Sequence, residues 1–227
     1  MESQPHRLPP GFCVSVPLRV WETGAVRTAS AAPGVAAVEV RLDLGRPGSL
    51  PERWDVPVPV VATCRPVREG GAFEGTEEDR FARLRDARKR GARWLDVEAA
   101  SRWQPFLATV PHLLSRHEAA PPAGLAEGLS ALADAVRSRP APPVAVKWVV
   151  RANDDAHALE LLREWISLRP DRRLGCDWIF FCMGAAGEAT RALATAFGSR
   201  WTYVALDEAS ATAPIMEAPS RSLVWSS

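Results

Sequence analysis

Lysine is almost missing from this chain. Of 28 lysines and arginines, only Lys89 and Lys147 are lysine. Lys89 lies in the run "RKRGAR", where any cation would serve. Histidine and cysteine are also scarce, four of each, and neither shows zinc-ligand spacing. No metal site is therefore expected. Cys13, Cys64, Cys176 and Cys182 form no CxxC pair and sit in apolar surroundings, which fits reduced, buried thiols in a cytoplasmic protein. A charge excess is missing too: 28 basic residues face 27 acidic ones, for a net charge of +1. That balance gives no reason to expect a nucleic-acid or acidic-membrane partner. No apolar run approaches the roughly 20 residues a membrane helix needs. The opening "MESQPHRLPPGF" has no apolar signal core.

What is present fits one globular domain over residues 1–227, with 1–11 and about 212–227 irregular. Eight apolar runs read as strands: 13–18, 36–43, 57–64, 92–98, 110–115, 143–150, 176–182 and 201–206. Helical patterns cover 76–91, 124–138, 154–168 and 187–197. Thr76 with Asp79 and Asp154 open two of these as N-caps, and Gly91 ends the first. The basic stretch 80–93 reads as a solvated helix face. Strand–helix alternation implies a parallel sheet, and eight units predict an α/β fold of the (β/α)8 TIM-barrel type. The barrel is trimmed, because the connections after the first, second and fourth runs are short of helix. An open doubly wound sheet is the alternative.

In such a barrel, function collects at the C-terminal strand ends. The residues there include Glu39, Arg41 and Asp43; Thr63, Arg65 and Glu69; Asp96 and Glu98; His117; and Met183. Lys147 is the least expected residue, since it interrupts the valine run "VAVKWVV". Alternation puts Ala145, Lys147 and Val149 on one strand face. A lysine aimed into a barrel mouth loses hydration, which disfavours its charged form, and a neutral amine attacks carbonyls. The plainer reading pairs Lys147 with an inward carboxylate such as Glu39 or Glu98. His117, just past a strand end, is either structural or the base such an amine would need. The stretch "TCRPVREGGAFEG" (63–75) is either a charged turn or a substrate loop, and Arg191 follows the glycine-rich turn "MGAAGEATR" (183–191).

Taken in order, "VEVRLD" (38–43), "TCRPVREGGAFEG", "LDVE" (95–98), "SRH" (115–117), "AVKWV" (145–149), "MGAAGEATR" and "FGSRWTYVAL" (197–206) resemble type I 3-dehydroquinate dehydratase, a Schiff-base lyase of the shikimate pathway. The resemblance implies a (β/α)8 barrel, usually a homodimer, acting on 3-dehydroquinate without a cofactor. By position it makes Lys147 the imine-forming lysine, His117 the general acid and base, and Glu69 the carboxylate that orients it. It gives Glu39, Arg41 and Arg65 to the substrate hydroxyls and Arg191 to the substrate carboxylate. Met183 and Tyr203 become lining. Ser210 matches a loop that usually reads like SAPGQ, but here the stretch is "ASATAPIM" (209–216), with Pro214 at the glutamine position. This departure keeps an alternative open: a non-catalytic or functionally drifted relative that binds a shikimate-like ligand.

Overall fold

The structure is a computed structural model that describes residues 7–21, 24–46 and 50–206. Eight parallel strands form the frame: β1 Gly11–Pro17, β2 Val35–Arg41, β3 Val60–Thr63, β4 Trp94–Glu98, β5 His112–Glu118, β6 Ala145–Arg151, β7 Asp177–Met183 and β8 Trp201–Ala205. They run in the order β7-β6-β5-β4-β3-β2-β1-β8. The two end strands meet through single bonds instead of a ladder. Arg200 N–H donates to the Trp178 carbonyl at 3.0 Å, and Phe180 N–H donates to Ser199 Oγ at 3.3 Å. The result is a nearly closed barrel, as the alternation of strands and helices predicted.

The helices are α1 Gly24–Ser30, α2 Glu77–Lys89, α3 Ala126–Arg137, α4 Asp155–Ser167, α5 Pro170–Leu174 and α6 Glu188–Leu193. After β2 and β4 the described residues make only 3-10 turns, Leu42–Leu44 and Pro105–Ala108, so the barrel is trimmed there as expected. The caps form as read. Asp79 N–H donates to Thr76 Oγ1 at 3.1 Å, and His157 N–H donates to Asp154 Oδ1 at 2.8 Å. Two short helices, α1 and α5, were not expected, although Pro170 opens and Gly175 ends the second. The segment expected as one helix over 187–197 splits into α6 and the 3-10 turn Ala194–Phe197.

The solvated face expected for 80–93 needs correction. On α2 Phe81, Leu84 and Ala87 are buried, Arg83 and Arg88 are half-buried, only Arg85 of its arginines is exposed, and Arg80 is fully buried. Its guanidinium lies 2.5 Å from Glu98 and donates to Ser101 Oγ at 2.6 Å, which ties α2 to the end of β4.

Outward strand residues pack under the helices. One such cluster sets Trp148, Trp165 and Phe180 together, the Trp165 and Phe180 rings stacked at 4.7 Å. The inward residues form a separate cluster that includes Cys13, Trp94, Leu113, Ile179 and Trp201. At the N-terminal end Trp94 and Trp201 meet edge to face at 5.5 Å, and buried Leu8 joins them. Trp201 Nε1 donates to the Pro9 carbonyl at 2.7 Å. This apolar plug closes one end, so the polar inward residues face the other. Among the described residues no helix is long and apolar enough to cross a membrane.

Candidate active site

Period-two alternation aims Ser15 on β1, Glu39 and Arg41 on β2, Asp96 on β4, His117 on β5, Lys147 on β6 and Tyr203 on β8 into the barrel. Lys147 is 1% exposed, in the middle of β6. Its Nζ donates to Glu39 Oε1 at 2.8 Å and to Asp96 Oδ2 at 3.0 Å, and it lies 4.3 Å from the centre of the Tyr203 ring. Glu39 was one of the two partners expected. Glu98, the other, is taken by Arg80, and Asp96 stands in its place. Asp96 was noted at a strand end but was not singled out. The parity it shares with Trp94 is the signal that places it inside.

Glu39 is fully engaged. Besides Lys147 it accepts Thr63 Oγ1 at 2.9 Å and Ser15 Oγ at 2.8 Å. Burial works against its ionisation, but Lys147, Arg65 and Arg41 outweigh it and hold the carboxyl well below the usual range. Arg41 makes a forked pair with Asp43, Nε to Oδ1 at 2.9 Å and Nη2 to Oδ2 at 2.6 Å. Arg65 is buried, and its Nε has no partner among the described residues.

His117 was expected just beyond a strand. Instead β5 runs to Glu118, because β6 continues the ladder and pairs His117 with Val149. The imidazole Nδ1 lies 3.1 Å from Glu69 Oε2, and the backbone N–H of His117 donates to the same oxygen at 3.2 Å. Oε2 already accepts the backbone N–H, so a proton on Glu69 belongs on Oε1, and we assign the ring as the Nδ1–H tautomer that donates to Oε2. That leaves Nε2 with a free lone pair, buried and without a partner among the described residues. Burial, and then the cations Arg65, Lys147 and Arg41, push the imidazole well below its ordinary range, so the ring is neutral. Burial and the nearby Glu98 carboxylate raise Glu69 to about 8.

The 63–75 segment holds Glu69 in place as an ordered turn. Pro66 bridges Phe73, and Val67 N–H donates to the Phe73 carbonyl at 3.2 Å. Gly70 takes φ +74°, a left-handed turn after Glu69. At Gly71 a Cβ would come within 2.0 Å of the Arg65 carbonyl oxygen. The paired glycines let the chain fold back tightly and carry Glu69 to His117.

Ser15, Glu39, Arg41, Arg65, His117, Lys147, Val149, Phe181 and Tyr203 enclose a space of about 10 Å³, close to what one water needs. Met183 ends β7, buried in the same inward cluster as Phe181 and Tyr203. Arg191 does not line this space. It is buried on α6, and its Nη1 donates to the carbonyls of Cys182 at 3.3 Å and Gly184 at 3.1 Å. Ser210 and the 209–216 stretch lie outside the described residues. A wider groove of about 1040 Å³ opens at the N-terminal strand ends beside Pro143, Cys176 and Trp178, away from all these groups.

The family model for type I 3-dehydroquinase matches residues 12–220. The 3-dehydroquinate dehydratase of Desulfotalea psychrophila is 33% identical over 189 residues, covering 79% of this chain and 81% of the relative. Its counterpart in Dehalococcoides mccartyi is 30% identical over 220 residues, covering 91% and 90%. The type I enzyme of Clostridium difficile, solved with covalently modified comenic acid, superposes with a TM-score of 0.69 at 18% identity over 88% of this chain and 85% of that one. The Enterococcus faecalis enzyme gives 0.67 at 22% identity over 88% and 90%. These last two likenesses concern the fold, whereas the family model and the curated relatives establish descent: the chain belongs to the type I 3-dehydroquinase family.

Proposed function

We propose that this chain is a hydro-lyase that converts 3-dehydroquinate to 3-dehydroshikimate through an imine on Lys147. The observation that carries the reading is a buried amine and an imidazole with a free Nε2 facing one small polar space. The amine attacks the ring ketone, and water leaves as the C=N bond forms. The iminium draws electrons from the neighbouring carbon, and His117 Nε2 takes the proton from it. The same proton then leaves with the departing hydroxyl as water, and hydrolysis of the imine frees the product.

The positive charge sits on the Lys147 nitrogen in the ammonium and the iminium, passes to His117 while the enamine is neutral, and returns to the nitrogen as the hydroxyl leaves. A protonated imine carries its charge where the ammonium carried it, so Glu39 and Asp96 stabilise both. Glu69 holds His117 in the tautomer that presents Nε2. Arg41 and Arg65 serve the substrate hydroxyls, with Arg191, Ser210, Met183 and Tyr203 in supporting binding roles. A six-membered ring acid needs far more room than one water, so substrate must push the rim side chains outward. The reading also carries a homodimer in the cytoplasm.

One observation favours a second reading. Lys147 is held by two carboxylates, as in a permanent structural pair. A relative that only binds a shikimate-like ligand would look the same there. Borohydride reduction with 3-dehydroquinate, run beside a dehydration assay, separates the two. The enzyme gives a covalent adduct on Lys147 and turnover; the binder gives neither.

A further inference from the structure

The two carboxylates that hold Lys147 are not equivalent. Glu39 uses both oxygens, for three donors: Ser15 Oγ, Thr63 Oγ1 and Lys147 Nζ. Taking up a proton would cost it a bond. Asp96, fully buried on β4, accepts from Lys147 through Oδ2 alone. Its Oδ1 is buried and without a partner among the described residues. A buried carboxylate oxygen left bare is costly, and one that persists calls for an explanation. Strand pairing fixes it there, because Asp96 sits in register with Thr63 on β3 and Leu113 on β5.

We infer that Asp96 relays the amine proton during imine formation, taking it from Lys147 Nζ and returning it to the oxygen that leaves. This rests on the imine reading above. In the first step the N–H bonding pair stays on nitrogen as the lone pair and the proton goes to Asp96. That lone pair then forms the C–N bond while the carbonyl π pair moves to oxygen. A second proton passes from nitrogen to that oxygen, giving a neutral carbinolamine. Asp96 returns its proton to the hydroxyl, the C–O bond breaks, water departs and the nitrogen pair forms the C=N bond. Asp96 ends as a carboxylate beside an iminium, just as it began beside an ammonium. Glu39 stays an anion throughout.

The test uses the full chain with borohydride and 3-dehydroquinate. Asp96→Asn keeps the side-chain volume and leaves Lys147 its bond to Glu39. We expect its trapping rate to fall about 100-fold, the order of a lost proton-transfer group. Asp96→Ala should be equally slow and regain at least about 10-fold with added formate, a small carboxylate that fits the vacated space. Formate should not help Asp96→Asn, where that space is filled. Trapping at the native rate in Asp96→Asn would overturn the relay, as would a folded Asp96→Ala that formate leaves unchanged. If both variants fail to fold, Asp96→Glu keeps the charge and displaces the acceptor; slowed trapping supports the relay and a native rate overturns it. A native chain that forms no adduct overturns the imine reading itself.

Discussion

His117 hangs from a single oxygen of Glu69. Oε2 accepts the backbone N–H at 3.2 Å and the ring Nδ1 at 3.1 Å, so backbone and imidazole are fixed together. Removing the ring should leave some imine formation and slow proton abstraction strongly. His117→Ala is expected to trap substrate on Lys147 and to turn over about 10²–10⁴-fold more slowly, the usual range for a general base. Steady-state turnover measured beside adduct yield checks this; undiminished turnover removes His117 from the mechanism.

The raised Glu69 carboxyl makes a stability prediction. Its folded value of about 8 lies above the ordinary 4.5, so the folded chain keeps a proton that the unfolded chain releases. Its contribution is therefore fully present below pH 4.5 and is lost as pH rises towards about 8. The slope is at most about 1.4 kcal/mol per pH unit. Urea midpoints taken across this window should fall with rising pH, and Glu69→Gln should flatten the fall.

Lys147 and Glu39 form a buried pair, with side chains 1% and 2% exposed. Glu39→Ala leaves a buried cation short of a partner and should cost about 3–5 kcal/mol. The exposed pair Arg27–Asp55 is shorter still, 2.6 Å against 2.8 Å, yet its side chains are 70% and 69% open. Arg27→Ala should cost less than about 1 kcal/mol. Denaturant titrations of both variants should show this contrast.

The turn that carries Glu69 depends on Gly71. A methyl there would meet the Arg65 backbone oxygen at 2.0 Å, which forces the segment to shift. Gly71→Ala should destabilise the chain by about 1–3 kcal/mol and lower kcat as Glu69 leaves His117. Gly24→Ala is the control, since nothing lies within 4 Å and the helix gains a better former. Its melting temperature should hold or rise.

The strands were legible because valine-rich runs and period-two alternation are local signals, and the same alternation pointed Lys147 inward. Its partners were not legible. Asp96 lies 51 residues away in sequence, and only the closed barrel decides that it, and not Glu98, meets the amine. The end of β5 was read three residues early, at 115 instead of 118, for a related reason, which left His117 outside the strand. Pairing with β6 extends β5 past its last apolar residue, Leu114, and no local pattern marks that. Arg80 was read as solvated because it sits among other arginines, yet it lies next to Phe81 on the buried face of α2 and its carboxylate partner is in another element. The helix α1, "GAVRTAS", is seven residues long and too short to show a period.

The central claim is a covalent bond between the Lys147 nitrogen and the substrate carbon. Intact mass and peptide mapping after borohydride reduction with 3-dehydroquinate test it directly. The account predicts one substrate-derived adduct per chain, located on Lys147 and lost in Lys147→Ala. An unmodified Lys147 in a chain that still dehydrates the substrate would contradict it.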